Sequence, residues 1–295
     1  MLLRMQTDRA PPPPYGQMEA LTPMVRRIVA RNPGPYTYWG TGTYVIGRRN
    51  VAIIDPGPAL ESHIEAILAA LAKETVTHIL VTHTHEDHSA AAAAIKAATG
   101  APTYGFGRHA TDGASGEAGI DTTFEPDFVL GDGDSIVGVG WHLASIHTPG
   151  HTSNHLCYAL PEDGALFTGD HVMGWSTTVV SPPDGNMRDY MQSLLKLSGR
   201  AEATFWPTHG DPIRNPLRHV ADLIEHRLAR RQSVLSCLGQ VPISPDQIVK
   251  KVYRSLHPEL RSAAAQTVLA HLLELVDCGL ADRAGEAWIR ASRPH

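Results

Sequence analysis

The chain has 295 residues, 25 of them Lys or Arg and 30 Asp or Glu, and a formal net charge of −5. No apolar run approaches the roughly 18–20 residues that span a bilayer, and three cysteines are too few for a disulfide framework. These properties exclude a membrane-spanning or disulfide-stapled protein, weaken the case for a nucleic-acid binder, and predict a cytoplasmic protein that does not engage membranes.

The first 16 residues include four consecutive prolines and are predicted to form a flexible arm. Residues 17–240 then alternate β hairpins with βα units, which indicates an α/β domain of two sheets with helices outside. The predicted strands lie in 41–55 (two strands around a polar turn), 78–82, 101–105, 126–148 (in pieces), 155–160 and 165–168. The predicted helices are 61–73, 89–98, 189–200 and 215–238.

A second domain is predicted at 241–295. Ser244-Pro245 is a typical N-cap and first-turn pair for a helix reaching about 256. A helix over about 260–277 follows, stopped by Cys278-Gly279, and residues 280–291 fit a small β ribbon. Helix, helix, ribbon is the outline of a winged helix, so we place the domain boundary near 240.

The most informative stretch is Thr82-His83-Thr84-His85-Glu86-Asp87-His88, which follows the apolar run 79–81. It offers four potential metal ligands within six residues, namely His83, His85, Asp87 and His88. A loop at a strand end can converge such side chains on one point, and first-row metals favour nitrogen and oxygen donors.

Three later sites are built in the same way, with an apolar run, a tight turn and a ligand-capable side chain. They place His151, Asp170 and His209 near predicted strand ends. A lone histidine in a loop is more often a surface residue, but the ordered pattern HxHxDH…H…D…H predicts one metal site.

This pattern resembles the metallo-β-lactamase superfamily, whose fold is an αβ/βα sandwich. The resemblance implies that one metal is held by His83, His85 and His151 and a second by Asp87, His88 and His209. It implies that Asp170 bridges the two metals and that Asp55 orients a ligand without binding metal. Two zinc ions, or iron or manganese, suit this donor set and would acidify a bridging water to hydroxide, with Asp87 relaying the proton.

Further segments resemble the β-lactamase-like protein 2 family, which carries a C-terminal winged-helix-like domain. They are 32–44, 189–194, 207–213 and the helix containing His226-Arg227 and Arg230-Arg231. The chain departs from the family at three places, with Ser89-Ala90 for Gly-Gly, Gly42 for Asn, and His171 for a small hydrophobic residue.

The resemblance implies a dinuclear metal-dependent hydrolase that acts on single-stranded RNA or on an acyl-thioester. A β-lactam or lactone hydrolase is an alternative, although true β-lactamases lack the bridging Asp170. A nucleic-acid-binding regulator with a vestigial hydrolase domain is an alternative of another class. It is disfavoured because no ligand is missing.

The basic stretch 214–231 favours a phosphate-bearing substrate, whereas residues 262–277 of the second helix of the small domain contain no Lys or Arg, which argues against duplex DNA. The small domain is expected to wall the active site or to make an oligomer contact. Asn154, His171 and Trp175 are candidate substrate contacts. The alternative roles are a turn cap for Asn154, a neighbouring residue without function for His171, and a packing residue for Trp175. Selectivity is expected to lie in the loops 105–127 and 172–188.

Overall fold

The computed structural model describes residues 11–109, 119–253 and 258–292, which contain two large β-sheets packed face to face with helices on both outer sides. The strands of the first sheet are β1 (Glu19–Ala20), β2 (Val25–Val29), β3 (Gly42–Arg48), β4 (Asn50–Ile54), β5 (Thr75–Leu80), β6 (Thr103–Gly105) and β7 (Phe128–Val129). They are adjacent in chain order, antiparallel from β1 to β4 and parallel from β4 to β7.

The second sheet has the order β12-β11-β10-β9-β8. Its strands are β8 (Ser135–Gly138), β9 (Trp141–His147), β10 (Leu156–Leu160), β11 (Ala165–Gly169) and β12 (Thr204–Pro207). Pairing is antiparallel except between β11 and β12. Their inner side chains meet those of the first sheet in a core that includes Tyr44, Tyr158 and Trp206, all nearly inaccessible to solvent.

Five helices accompany these sheets: α1 (Glu61–Ala70), α2 (Glu86–Ser89), α3 (Ala92–Thr99), α4 (Met187–Leu197) and α5 (Pro216–Cys237). The apolar faces of α1 and α3 cover the first sheet, and those of α4 and α5 cover the second. Two sheets between two helical layers confirm the predicted αβ/βα sandwich.

The C-terminal region contains α6 (Pro245–Val252), α7 (Arg261–Asp277) and the hairpin of β13 (Ala281–Ala284) with β14 (Ala287–Arg290). The predicted N-cap is present, because Ser244 accepts a hydrogen bond from the Gln247 backbone while the Gln247 side chain accepts one from the Ser244 backbone. A separate core around Trp288 holds these elements together, and the end of α5 contributes Val234 and Leu235 to it. α5 is therefore the physical link between the two parts.

Strand β2 is absent from the sequence-based prediction, because two arginines in its five residues break the expected apolar alternation. Both are buried by specific partners. Arg26 pairs with Glu74, and Arg27 donates to Glu19 at 2.9 Å and to the Gly210 carbonyl. Because both guanidinium groups have polar partners, this strand is buried although its sequence lacks the apolar alternation of a typical strand.

The predicted arm 1–16 lies partly outside the described residues, which begin at 11. Its last two residues are tied to the sheet, since Tyr15 donates to the Trp39 carbonyl and Gly16 N–H to the Val29 carbonyl. Within the described ranges, no helix combines the length and hydrophobicity needed to cross a bilayer.

Candidate metal centre

The seven predicted ligand residues come together at one edge of the sandwich. Each follows a strand end or a tight turn, so short connections deliver all of them to the same place. Three overlapping groups of donor atoms, each within 4.8 Å, consist of His83/His85/His151, His83/His88/Asp170 and Asp87/His88/His209. The sequence-based expectation that these residues converge agrees with the geometry, whereas their individual roles as ligands stay predictions.

The first motif is folded differently from the expectation. Strand β5 ends at Leu80, two residues earlier than predicted, and the predicted helix 89–98 is observed as α3, with the separate helical turn α2 before it. Asp87 and His88 lie on α2, which begins after His85. Consecutive side chains on an α-helix point about 100° apart, and the two donors still meet, with Asp87 Oδ2 3.5 Å from His88 Nε2.

The first donor group consists of three histidines. His83 Nε2 lies 2.9 Å from His85 Nδ1, and His151 Nε2 lies 3.2 Å from the same nitrogen. His151 Nδ1 donates to the Val179 carbonyl at 2.7 Å, because a carbonyl can only accept. That bond leaves the Nε2 lone pair directed at the other two histidines.

The second donor group combines imidazoles and a carboxylate. Asp87 Oδ2 lies 3.1 Å from His209 Nε2 and 3.5 Å from His88 Nε2. His209 is oriented by the ring nitrogen that faces away from the donors, since its Nδ1 donates to the Gly40 carbonyl at 3.1 Å. The Thr41 hydroxyl donates to Asp87.

Asp170 lies between the two groups. Its Oδ1 is 3.4 Å from His209 Nε2 and 3.6 Å from His88 Nε2, whereas its Oδ2 is 3.8 Å from His151 Nε2. This is the placement that a bridging carboxylate requires.

The turn before Asp170 depends on a glycine and on His155. Gly169 has φ +50, and a Cβ there would lie 2.5 Å from His155 Nε2. That nitrogen accepts a hydrogen bond from the Asp170 backbone N–H at 3.2 Å. His155 is fully buried and supports the turn.

The protonation states in the metal-free protein favour metal uptake at the first group. Burial lowers the pKa of His85 to about 3 and holds the pKa of His83 well below its usual value. Burial also lowers the pKa of His151, although Asp170 opposes this. Neutral imidazoles are the ligating form, so these three need not lose a proton.

The second group is electrostatically coupled. Burial would lower the pKa of His88, but Asp87, Asp170 and Asp55 outweigh it and raise the pKa well above its usual value. Burial likewise opposes ionisation of Asp170, yet His209 and His88 lower its pKa overall. In the metal-free protein these groups neutralise one another.

Asp55 lies behind His88 and is fully buried in the left-handed region at φ +50. Its carboxylate accepts from Thr82 N–H at 2.8 Å, from the Thr82 hydroxyl at 2.9 Å and from the Thr208 hydroxyl at 2.8 Å. His88 Nδ1 lies 2.9 Å from it, so Asp55 orients this imidazole and contributes to none of the donor groups.

The donors fit a pair of divalent cations. His88 Nε2 and Asp170 Oδ1 are buried and have no hydrogen-bond partner among the described residues, an arrangement that a bound cation would satisfy. Two ligand atoms on a tetrahedral zinc lie about 3.3 Å apart, given bonds of about 2.0–2.1 Å. The spacing between the Nε2 atoms and carboxylate oxygens, 3.1–3.8 Å, falls around that value.

A cavity of about 570 Å³ adjoins the cluster. Five donor residues face it, namely His85, Asp87, His151, Asp170 and His209. The rest of its wall comes mainly from Pro35–Thr37, from Met173, Trp175, Ser176, Thr177, Val179 and Ser181, and from Leu260, Ser262, Ala263 and Gln266 at the start of α7. The C-terminal region therefore walls the cavity, one of the two roles expected for it.

The three candidate substrate contacts have different positions. Trp175 lines the cavity and stacks on Tyr38 with ring centroids 4.9 Å apart. Asn154 and His171 are buried away from the wall. Asn154 donates to the Thr84 hydroxyl at 2.8 Å and thus holds a turn, and His171 packs against Tyr190 at 4.8 Å. A substrate contact by these two residues stays a prediction.

Sequence reasoning missed the threonines that support the centre. Thr82 and Thr208 bind Asp55, and each immediately precedes a predicted ligand, His83 or His209. The repeated Thr-His pair was a usable signal. Arg227 and Thr178, by contrast, are joined by a hydrogen bond although they lie 49 residues apart in the sequence, and no local pattern shows such a contact.

Comparison with known proteins agrees with this geometry. Residues 38–209 match the model of the metallo-beta-lactamase superfamily, and residues 244–288 match the beta-lactamase associated winged helix domain. The chain is 31% identical over 274 residues to a beta-lactamase-like protein 2 homolog of Caenorhabditis elegans, covering 90% of this chain and 88% of that protein.

Two further similarities bear on function and fold. The chain is 30% identical over 280 residues to an atrochrysone carboxyl ACP thioesterase of Passalora fulva, covering 88% of this chain and 78% of that protein. A crystal structure of a beta-lactamase domain protein from Burkholderia ambifaria superposes with a TM-score of 0.81 at 23% identity, covering 97% of this chain and 96% of that one.

Proposed function

Because this chain belongs to the metallo-beta-lactamase superfamily of metal-dependent hydrolases, we propose that it is a dinuclear enzyme that hydrolyses acyl-thioesters. The observation that carries the choice of substrate is the cavity wall. No lysine or arginine lies among its described residues, so it offers no side-chain cation to a chain of phosphates. A neutral acyl group needs none.

Arginines of the basic stretch 214–231, which favoured an RNA substrate, are bound by other groups of the protein. Arg231 pairs with Glu274 at 2.9 Å, and Arg218 pairs with Asp222 at 3.1 Å on an exposed helical turn. Arg227 is buried. Because these groups already have protein partners, the phosphate contacts expected of an RNA substrate lose their main support.

Zinc is the proposed metal, since three histidines with one shared carboxylate and a second group of two histidines and a carboxylate suit its preference for N and O ligands. Iron and manganese accept the same donors. The chemistry that divalent cations supply in such a site is Lewis acidity, which polarises a carbonyl and acidifies water to a pKa of about 7.

The chain's own residues supply orientation and proton handling. The side chain of Asp87 is 27% exposed and lies in the cavity wall, so it can take a proton from attacking water and pass it to the leaving sulfur. The C–S bond then breaks to give a carboxylic acid and a thiol. Trp175 and Tyr36 flank the space available to the acyl group.

The test is a substrate panel with metal-loaded protein, comparing acyl-CoA thioesters, a single-stranded RNA, a lactone and a β-lactam. We expect turnover of the thioesters, removed by chelation and restored by zinc, iron or manganese. RNA cleavage that weakens steeply with added salt would instead establish the phosphodiesterase alternative. Turnover of the lactone or β-lactam alone would exclude the thioester proposal.

Trp175→Ala tests whether this ring is part of the acyl wall. We expect KM for a long-chain acyl-thioester to rise about tenfold while kcat changes little, because the ring contributes apolar contact rather than chemistry. Trp175→Phe, which retains a stacking surface against Tyr38, is the matched control and should stay near the natural enzyme. An unchanged KM in the alanine variant would place Trp175 outside the substrate path.

A further inference from the structure

We propose that Arg227 on α5 is a positioning residue for the metal centre. It fixes the backbone at Thr178 and Val179, which in turn fixes His151 and Asp170. The inference rests on the proposed metal centre and adds to it a residue from outside the donor cluster.

The environment of Arg227 is unusual for a cation. It is 2% exposed, its Nε makes no hydrogen bond within the described part of the chain, and its guanidinium lies 4.9 Å from the centroid of the Tyr190 ring. Its Nη2 donates a hydrogen bond to the Thr178 carbonyl. A buried charge that is directed at a backbone carbonyl costs desolvation energy, so a positional role accounts for its presence better than stability does.

Thr178 passes this restraint to the bridging residue. Its hydroxyl lies within hydrogen-bond distance of the Asp170 carbonyl, at 2.7 Å, and of the His171 carbonyl, at 3.0 Å. Arg227 holds the carbonyl end of Thr178 and the turn after β11 holds its side chain. The turn that carries Asp170 and the segment over it are therefore one connected unit.

The next residue passes the restraint to the first donor group. The Val179 carbonyl accepts from His151 Nδ1 at 2.7 Å, which fixes both the tautomer and the ring plane of His151. The opposite nitrogen then faces His85 Nδ1 at 3.2 Å and Asp170 Oδ2 at 3.8 Å. Partners that orient a metal-binding histidine in this way typically change metal affinity by about 10–100-fold when lost.

The experiment compares the natural protein with Arg227→Met in a chelator titration, with metal per chain counted at each chelator concentration. We expect one of the two metals to bind about 10–100-fold more weakly. The affected metal should be the one beside His151, because His209 is held independently by the Gly40 carbonyl. Cobalt(II) substitution gives a second readout, since a displaced imidazole shifts the visible absorption.

Arg230→Met is the matched control. Arg230 lies one turn along the same helix, stacks over Tyr253 at 4.2 Å and donates to the Val252 carbonyl, and so contacts the C-terminal region instead. It should retain both metals at natural affinity. Equal weakening in the two variants would assign the effect to helix packing and overturn the proposal.

Thr178→Val keeps the test decisive even if Arg227→Met does not fold. It removes the hydroxyl bonds to the turn with little change of shape, and the proposal requires that it also weakens metal binding. Unchanged metal affinity in Thr178→Val overturns the proposal. If the natural protein itself binds no metal, the proposed function fails; if it binds two and Arg227→Met binds them equally well, only this inference fails.

Discussion

Asp170→Ala is expected to reduce bound metal from about two equivalents per chain to less than one and to abolish hydrolysis. The two carboxylate oxygens face different donor groups, with Oδ1 3.4 Å from His209 Nε2 and Oδ2 3.8 Å from His151 Nε2. In the proposed dinuclear centre, alanine would remove a ligand from both metals and also the negative charge between them. Activity should fall by about a thousandfold or more, since the nucleophile depends on both sites.

The measurement is metal content after metal-replete purification, together with thioester turnover and an unfolding curve of the metal-free protein. Asp222→Ala is the control, because Asp222 is an exposed acidic residue that pairs with Arg218 on α5. It should retain two metals and full activity. Two equivalents retained by Asp170→Ala would remove the bridge from the mechanism, and less than one equivalent in the natural protein would remove the dinuclear site.

The convergence of the candidate metal ligands was predictable because most of the donor residues occur in short local motifs. His83, His85, Asp87 and His88 occur together in the sequence, and the later ligands each follow an apolar run and a tight turn. Strand ends are places where a sheet gathers side chains from distant segments. Predicting that these side chains meet therefore required only the donor types and the approximate strands. The prediction holds although β5 ends two residues earlier than expected.

The supporting network was less predictable because it depends on tertiary contacts. His155 directly precedes β10, and only the close approach of Gly169 in the fold makes it a buried acceptor for the Asp170 backbone N–H. His171 was expected to reach substrate from its place beside Asp170. The tight turn instead directs it towards Tyr190 and away from the cavity.

Buried charged residues also made one strand and one charged surface hard to predict from the sequence. β2 was missed because a pattern of apolar residues does not show that Arg26 is satisfied by Glu74 and the Gly47 carbonyl. The basic stretch of α5 was linked to phosphate because its partners, such as Glu274, lie far away in sequence. Sequence patterns locate charges, but only the fold shows which of them are already neutralised.

Asp55→Ala is expected to destabilise the metal-free protein by at least about 3–5 kcal/mol, as for other buried ion pairs that lose one partner. The carboxylate is fully buried and accepts hydrogen bonds from Thr82 and Thr208, with His88 Nδ1 at 2.9 Å. Alanine leaves these groups unsatisfied, each at about 1–3 kcal/mol. Such a loss is a large share of the roughly 5–15 kcal/mol by which domains are stable.

Asp55→Asn distinguishes the effect of losing the carboxylate from the effect of backbone strain. Asparagine tolerates the left-handed conformation at φ +50, whereas alanine is strained there. The amide keeps the shape but has a single acceptor oxygen, so an intermediate loss of stability is expected in urea unfolding. Metal counting should show that both variants bind the metal beside His88 about 10–100-fold more weakly, since neither side chain supplies the carboxylate that orients that ring. If Asp55→Ala unfolds within about 1 kcal/mol of the natural protein and keeps both metals, the carboxylate neither stabilises the fold nor orients His88, and the metal centre is held together by its donors alone.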